Sequence, residues 1–205
     1  MKKAVWGPVA AVVALFLLGA GQAYAQSSAT NLNYNEIGLD LSAVQTRGAD
    51  HQTFHGTGLS GRYLLNDTWF VTGTLDRVSN KTDALAHKDV HQGAGVGARY
   101  GLSANTDLVA TLQYTRTNET ISTKPRTYTY ESGYGVGIRS LVTSDLELNA
   151  SVNSHQPKEG GSYVYYNTGV GLHLSKEWVL RGSYSNQKYA GIKTDSYTVS
   201  VGYKF

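Results

Sequence analysis

Tyr197, Val199, Val201, Tyr203 and Phe205 alternate with Ser196, Thr198, Ser200, Gly202 and Lys204. A period of two puts one set on each face of an extended strand. The same alternation recurs through nearly the whole chain after Gln26, and it constrains the fold more than any other feature. It predicts ten strands, at about 33–46, 54–65, 69–79, 91–102, 107–118, 127–141, 145–154, 162–174, 178–188 and 196–205. Glycine (23) and tyrosine (15) are abundant and proline is scarce (3), which favours strands and tight turns over helices.

The two faces differ in kind. One carries Ile37, Leu39, Leu41, Leu59, Tyr63, Val71, Leu75, Val96, Leu112, Val136, Leu148, Val170 and Leu180. The other carries Gly, Ser, Thr, Asn, Gln and charge. A water-soluble barrel would hide the apolar face. Here that face bears aromatic residues towards both strand ends: Tyr63, Trp69, Trp178 and Tyr203 at one, and Tyr114, Tyr130, Tyr166, Tyr184 and Tyr197 at the other. Aromatic girdles flanking an apolar band are the pattern of a face that meets lipid. Sheet edges have no water to bond to in hydrocarbon, so the sheet must close. The expected fold is an all-β, closed antiparallel transmembrane β-barrel of ten strands, with eight as the alternative. Connections read as short at 66–67, 103–106, 142–144 and 175–177. They read as longer at 47–53, 80–90, 119–126, 155–161 and 189–195. That layout belongs to outer-membrane barrels with both termini periplasmic.

The start of the chain fits this address. Lys2 and Lys3 precede an apolar run that ends in Ala23-Tyr24-Ala25, the pattern of a secretory signal peptide over residues 1–25. The barrel domain is then 26–205. Without Lys2 and Lys3, 16 basic residues face 15 acidic ones, a balance of +1 that argues against nucleic-acid binding. There is no cysteine, so disulfides do not hold the domain.

A pattern small-x-small-x-small-x-basic recurs five times. It reads Gly56, Gly58, Ser60, Arg62; Gly93, Gly95, Gly97, Arg99; Gly133, Gly135, Gly137, Arg139; Asn167, Gly169, Gly171, His173; and Thr198, Ser200, Gly202, Lys204. One copy per hairpin supports ten strands. Each copy lines the inner face, where a narrow tube has room only for small side chains. The same parity puts Glu36, Asp40, Asp76, Glu131, Glu147 and Arg181 inside. Arg62, Arg99, Arg139, Arg181 and Lys204 then balance the five acids, and salt bridges across the lumen are expected, with Glu147 and Glu36 nearest the arginines. A plugged core is the favoured reading, and an electropositive, anion-passing constriction the alternative. The outward charges Arg77, Arg116 and Lys188 are expected to contact lipopolysaccharide phosphates.

The terminal Tyr203-Lys204-Phe205, the G-x-G-x-x-x-R stretches before short turns and the strand alternation resemble the small porin-family outer-membrane β-barrels, of the OmpA-like transmembrane domain type. The resemblance covers residues 33–205. It implies that Phe205 is read by the barrel assembly machinery. The best-known members have eight strands and this chain reads as ten. No peptidoglycan-binding domain is expected.

Chemistry is sparse. His51, His55, His87, His91 and His155 sit in expected loops; the i,i+4 spacing is an argument for a shared site on a helix, and no helix is expected, so no metal or cofactor is expected. Ser151 and His155 are about 13 Å apart along one strand, too far for a nucleophile and its base. Asp50, Asp83 and Asp89 imitate the rim residues of barrel proteases without their tall walls. The expectation is a monomeric, non-enzymatic barrel with a structural or adhesive role through five long loops that contact an extracellular partner. The alternative is a narrow passive channel.

Overall fold

The computed structural model describes residues 30–47, 51–82, 85–121, 123 and 125–205. The signal-peptide reading lies outside these residues, as do Asp50 and Asp83. Ten strands form: β1 (Glu36–Arg47), β2 (Gln52–Leu64), β3 (Trp69–Thr82), β4 (Leu85–Ser103), β5 (Thr106–Ile121), β6 (Thr127–Leu141), β7 (Leu146–Pro157), β8 (Tyr163–His173), β9 (Trp178–Tyr189) and β10 (Ile192–Lys204). Each pairs antiparallel with its neighbours, and β1 pairs with β10 from Glu36↔Lys204 to Arg47↔Lys193, which closes the sheet. An even strand number brings the start of β1 and the end of β10 to one rim, here the terminal rim. The backbone N–H of Phe205 donates to the Asn35 carbonyl there (3.1 Å).

Face assignment follows the alternation. Leu39 and Leu41 are 66% and 63% exposed, and the outward residues of all ten strands form a continuous exposed apolar surface. Closure leaves no edge strand, so that surface can sit in hydrocarbon without an unpaired backbone group. Tyr63 stacks on Phe205 and Tyr114 on Tyr130, while Trp178 meets Tyr203 edge-on and Tyr184 packs at a tilt against Tyr197. Aromatic pairs therefore sit at both margins of the band.

Two expectations change. Two of the long loops, 80–90 and 189–195, are mostly strand. β9 and β10 meet in a two-residue turn, with Ala190 at φ 49° and Gly191 at φ 87°, left-handed values that suit a tight hairpin. Only residues 83–84 separate β3 from β4. β4 runs 19 residues and β5 16, whereas about 9–11 suffice to cross a bilayer. The surplus of β3–β6 lies at the far rim and makes one side of the wall tall. The sequence signal was misread because polar strand outside a membrane lacks the apolar alternation that marks it inside.

The second change is at the other end. Residues 33–35 do not belong to β1. Residues 30–35 turn into the terminal rim and pack there: Leu32 and Tyr34 are 4% and 1% exposed and form a small core with Phe70 and Leu141, flanked by Leu64 and Val109.

Candidate functional site

The inner face near the terminal rim carries the basic residue of each repeat, and an ion-pair chain links much of it. Arg139 on β6 donates to Glu147 on β7 through Nε and Nη2 (2.6 and 2.8 Å). Glu147 also accepts from Arg181 Nη1 on β9 (2.8 Å), and Arg181 donates to Glu36 on β1 through Nε and Nη2 (2.9 and 2.6 Å). His173 on β8 lies 3.2 Å from Glu147, and the Lys204 ammonium on β10 donates to His173 Nδ1 (3.2 Å). Fully buried charges persist only when paired and hydrogen-bonded in this way.

Only part of the expected charge pairing forms. Glu36 and Glu147 join the arginines, as their spacing indicates. Asp40, Asp76 and Glu131 do not. Asp40 and Asp76 face each other across Gly58, each its register partner, further up the lumen. Glu131 accepts from His155 Nδ1 (3.3 Å) and the Tyr163 hydroxyl (2.8 Å), and the Gln113 amide donates to His155 Nε2 (2.6 Å). The acid that sequence reasoning missed is Asp107, 3.5 Å from Arg99 and fully buried. Its parity signal was available, but it sits beside a turn where facing is ambiguous. The floor therefore holds Arg62, Arg99, Arg139, Arg181 and Lys204 against Glu36, Asp107 and Glu147, five bases against three acids, or +2 with His173 neutral.

Residues 30–35 answer this surplus. The Tyr34 ring lies 4.7, 4.9 and 5.2 Å from the guanidinium carbons of Arg139, Arg99 and Arg62. A π-face attracts each cation by about 0.5–2 kcal/mol, more as water is excluded. Carbonyls and a hydroxyl supply the rest: Arg139 donates to Asn33 O (2.8 Å), and Arg99 donates to Asp67 O (2.8 Å) and Thr30 Oγ1 (2.9 Å). Asn31 N donates to Ala104 O, and Leu64 N to Asn35 Oδ1. Phe70 fits because position 97 is glycine: a Cβ there would run into its ring. One small residue of the repeat is thus the space that Tyr34's packing partner occupies.

Above the floor lies a cavity of about 420 Å³, its walls lined by Ser60, Thr72, Thr74, Thr111, Gln113, Asn149, Asn153 and Asn167. Ser151 and His155 are not partnered. The Ser151 hydroxyl accepts from the Asn153 amide, while His155 is held by Gln113 and Glu131. In the tall wall His87, Asp89 and His91 are strand residues on the inner face of β4, not loop residues. Partial burial raises the Asp89 carboxyl above the ordinary Asp range. His51 lies in the β1–β2 connection and His55 within β2. Outside, Arg77 follows Leu75, Arg116 lies 4.7 Å over the Tyr128 ring, and Lys188 is the register partner of Lys193, itself paired with Arg47.

A closed, lipid-faced sheet around a charged lumen defines a transmembrane β-barrel protein. The chain belongs to the family described as the outer membrane protein beta-barrel domain, whose model matches residues 11–205, and its place is the bacterial outer membrane. Among solved structures it resembles the translocator domain of the autotransporter NalP from Neisseria meningitidis, with 12% identity over 96% of this chain and 98% of that one and a TM-score of 0.54. It also resembles the NanC porin, with 10% identity over 82% and 100% and a TM-score of 0.52. Both are likenesses of fold. No curated protein sequence matches the chain.

Proposed function

We propose that this protein is a closed, non-conducting barrel with a structural and surface-interaction role in the envelope. The observation that carries the reading is the stopper: Tyr34, 1% exposed, sits among three guanidiniums at the terminal rim. The terminal rim is periplasmic, as short turns and chain ends are in barrels of this kind. Phe205 then stands where the assembly machinery reads it. The tall β3–β6 wall projects outward and offers the rigid surface on which an extracellular partner docks, in place of the expected loops. Arg77, Arg116 and Lys188, joined by Arg47 and Lys193, lie on the outer face beyond the aromatic girdle and meet lipopolysaccharide phosphates. No arrangement of nucleophile and base supports an enzyme among the described residues.

The alternative, a narrow channel for small solutes, has one observation in its favour: the hydroxyl- and amide-lined cavity. It requires residues 30–35 to leave the floor.

The surface role is tested by shaving the wall. Removing residues 80–88 and 118–127, with two-residue turns in their place, leaves the membrane-crossing part of every strand. Cells carrying the shaved barrel are expected to match the deletion strain in adhesion to host surfaces and in sensitivity to bile salts. Full complementation by the shaved barrel would move the role to the barrel body.

A further inference from the structure

We infer that the inner face of the tall wall holds a binding site for one divalent transition cation, formed by His87, Asp89 and Glu119. His87 Nε2 lies 3.2 Å from Asp89 Oδ1 and 3.0 Å from Glu119 Oε1, and the three ligand atoms all fall within 4.8 Å of one another. Zinc bonds to imidazole nitrogen and carboxylate oxygen are about 2.0–2.2 Å, which puts neighbouring ligand atoms roughly 3.3 Å apart in a tetrahedron. The two measured edges are close to that value.

The register gives a second, independent observation. Asp89 and Glu119 are direct cross-strand partners on the same face. Like charges directly opposite destabilise a strand pair. This pair lies in the part of the β4–β5 ladder that projects past the apolar band, where no lipid supports the wall. Among the described residues the one ion-pair partner of both carboxylates is His87. Arg99 and Arg139 of the repeat pair with acids at the floor, but among the described residues no arginine or lysine pairs with these. A divalent cation offsets both carboxylates at once and ties β4 to β5.

The ligands are also positioned. The His87 ring is met edge-on by Phe54, buried on β2, with centroids 5.2 Å apart and planes at 84°. The Thr127 hydroxyl donates to Glu119 Oε2 (3.1 Å), leaving Oε1 turned to His87. The three side chains are 20–39% exposed, so an ion can enter from the far rim. One imidazole with two carboxylates and no thiol suits Zn²⁺ or Mn²⁺ over Ca²⁺, which takes oxygen ligands, and over Cu⁺, which takes sulfur. Three protein ligands leave a position for water or for a donor from a surface partner.

The test is a Zn²⁺ titration of the chelator-treated, folded barrel in detergent micelles, followed by calorimetry and by X-ray absorption at the zinc edge. One ion per chain with micromolar affinity is expected, with a shell of nitrogen and oxygen that contains a single imidazole. His87→Ala, Asp89→Asn and Glu119→Gln are each expected to weaken binding by about tenfold or more, while His155→Ala leaves it unchanged. The Asp89→Asn, Glu119→Gln double variant removes the repulsion and serves as the folded, non-binding control. Absence of stoichiometric binding would mean that the His87 ring alone, through its contacts with Asp89 and Glu119, holds the cluster together. That result overturns the assignment, as does binding indifferent to these three residues.

Discussion

At the scale of single residues the account turns on Tyr34 and Glu147. Tyr34 contributes a buried ring and a face for three cations, so Tyr34→Ala is expected to cost roughly 3 kcal/mol. Tyr34→Phe keeps the face and is expected to stay within about 1 kcal/mol of wild type. Urea unfolding in lipid vesicles measures both. Glu147 accepts from Arg139 and Arg181, so Glu147→Gln strands buried cations and is expected to cost roughly 3–5 kcal/mol by the same assay. Asp76 carries the opposite sign. It faces Asp40 across Gly58 with no ion-pair partner among the described residues. Asp76→Asn is therefore expected to be neutral or stabilising by up to about 1 kcal/mol. The arginines, Glu36 and Glu147 could be placed from parity because a period of two leaves no freedom of facing within a strand. Tyr34 could not: residues 33–35 read as the start of the first strand, and nothing local marks an irregular segment that turns into the rim.

At the scale of elements, strands within the membrane were legible and strands beyond it were not. The apolar face of β1, β8 and β10 announces itself because lipid demands it. His87 to Asp89 and Glu119 to Thr120 are polar on both faces, so they read as loop although the ladder continues through them. The repeat was legible as a set of small inward residues, but its purpose at Gly97 was not, because the ring it admits comes from β3. Gly97→Val is expected to expel Phe70, loosen Tyr34 and lower the urea midpoint about as much as Tyr34→Ala, while a serine at Gly73, whose Cβ position is open, is tolerated. Parallel unfolding curves of the two variants check this.

For the whole molecule, a neutral peptide segment packs into a +2 floor beneath a polar cavity, where its carbonyls and ring face meet the excess charge, and on the proposed reading it holds the lumen shut. The balance expected over the entire lumen holds only piecewise, since Asp40, Asp76 and Glu131 lie too far up the tube to serve the arginines. The most direct test of closure is single-channel recording in planar bilayers with the mature chain, with Tyr34→Ala, and with a chain lacking residues 30–35. The account predicts a silent wild type and steady, anion-selective steps from both altered chains. Steady wild-type conductance that Tyr34→Ala leaves unchanged would contradict it.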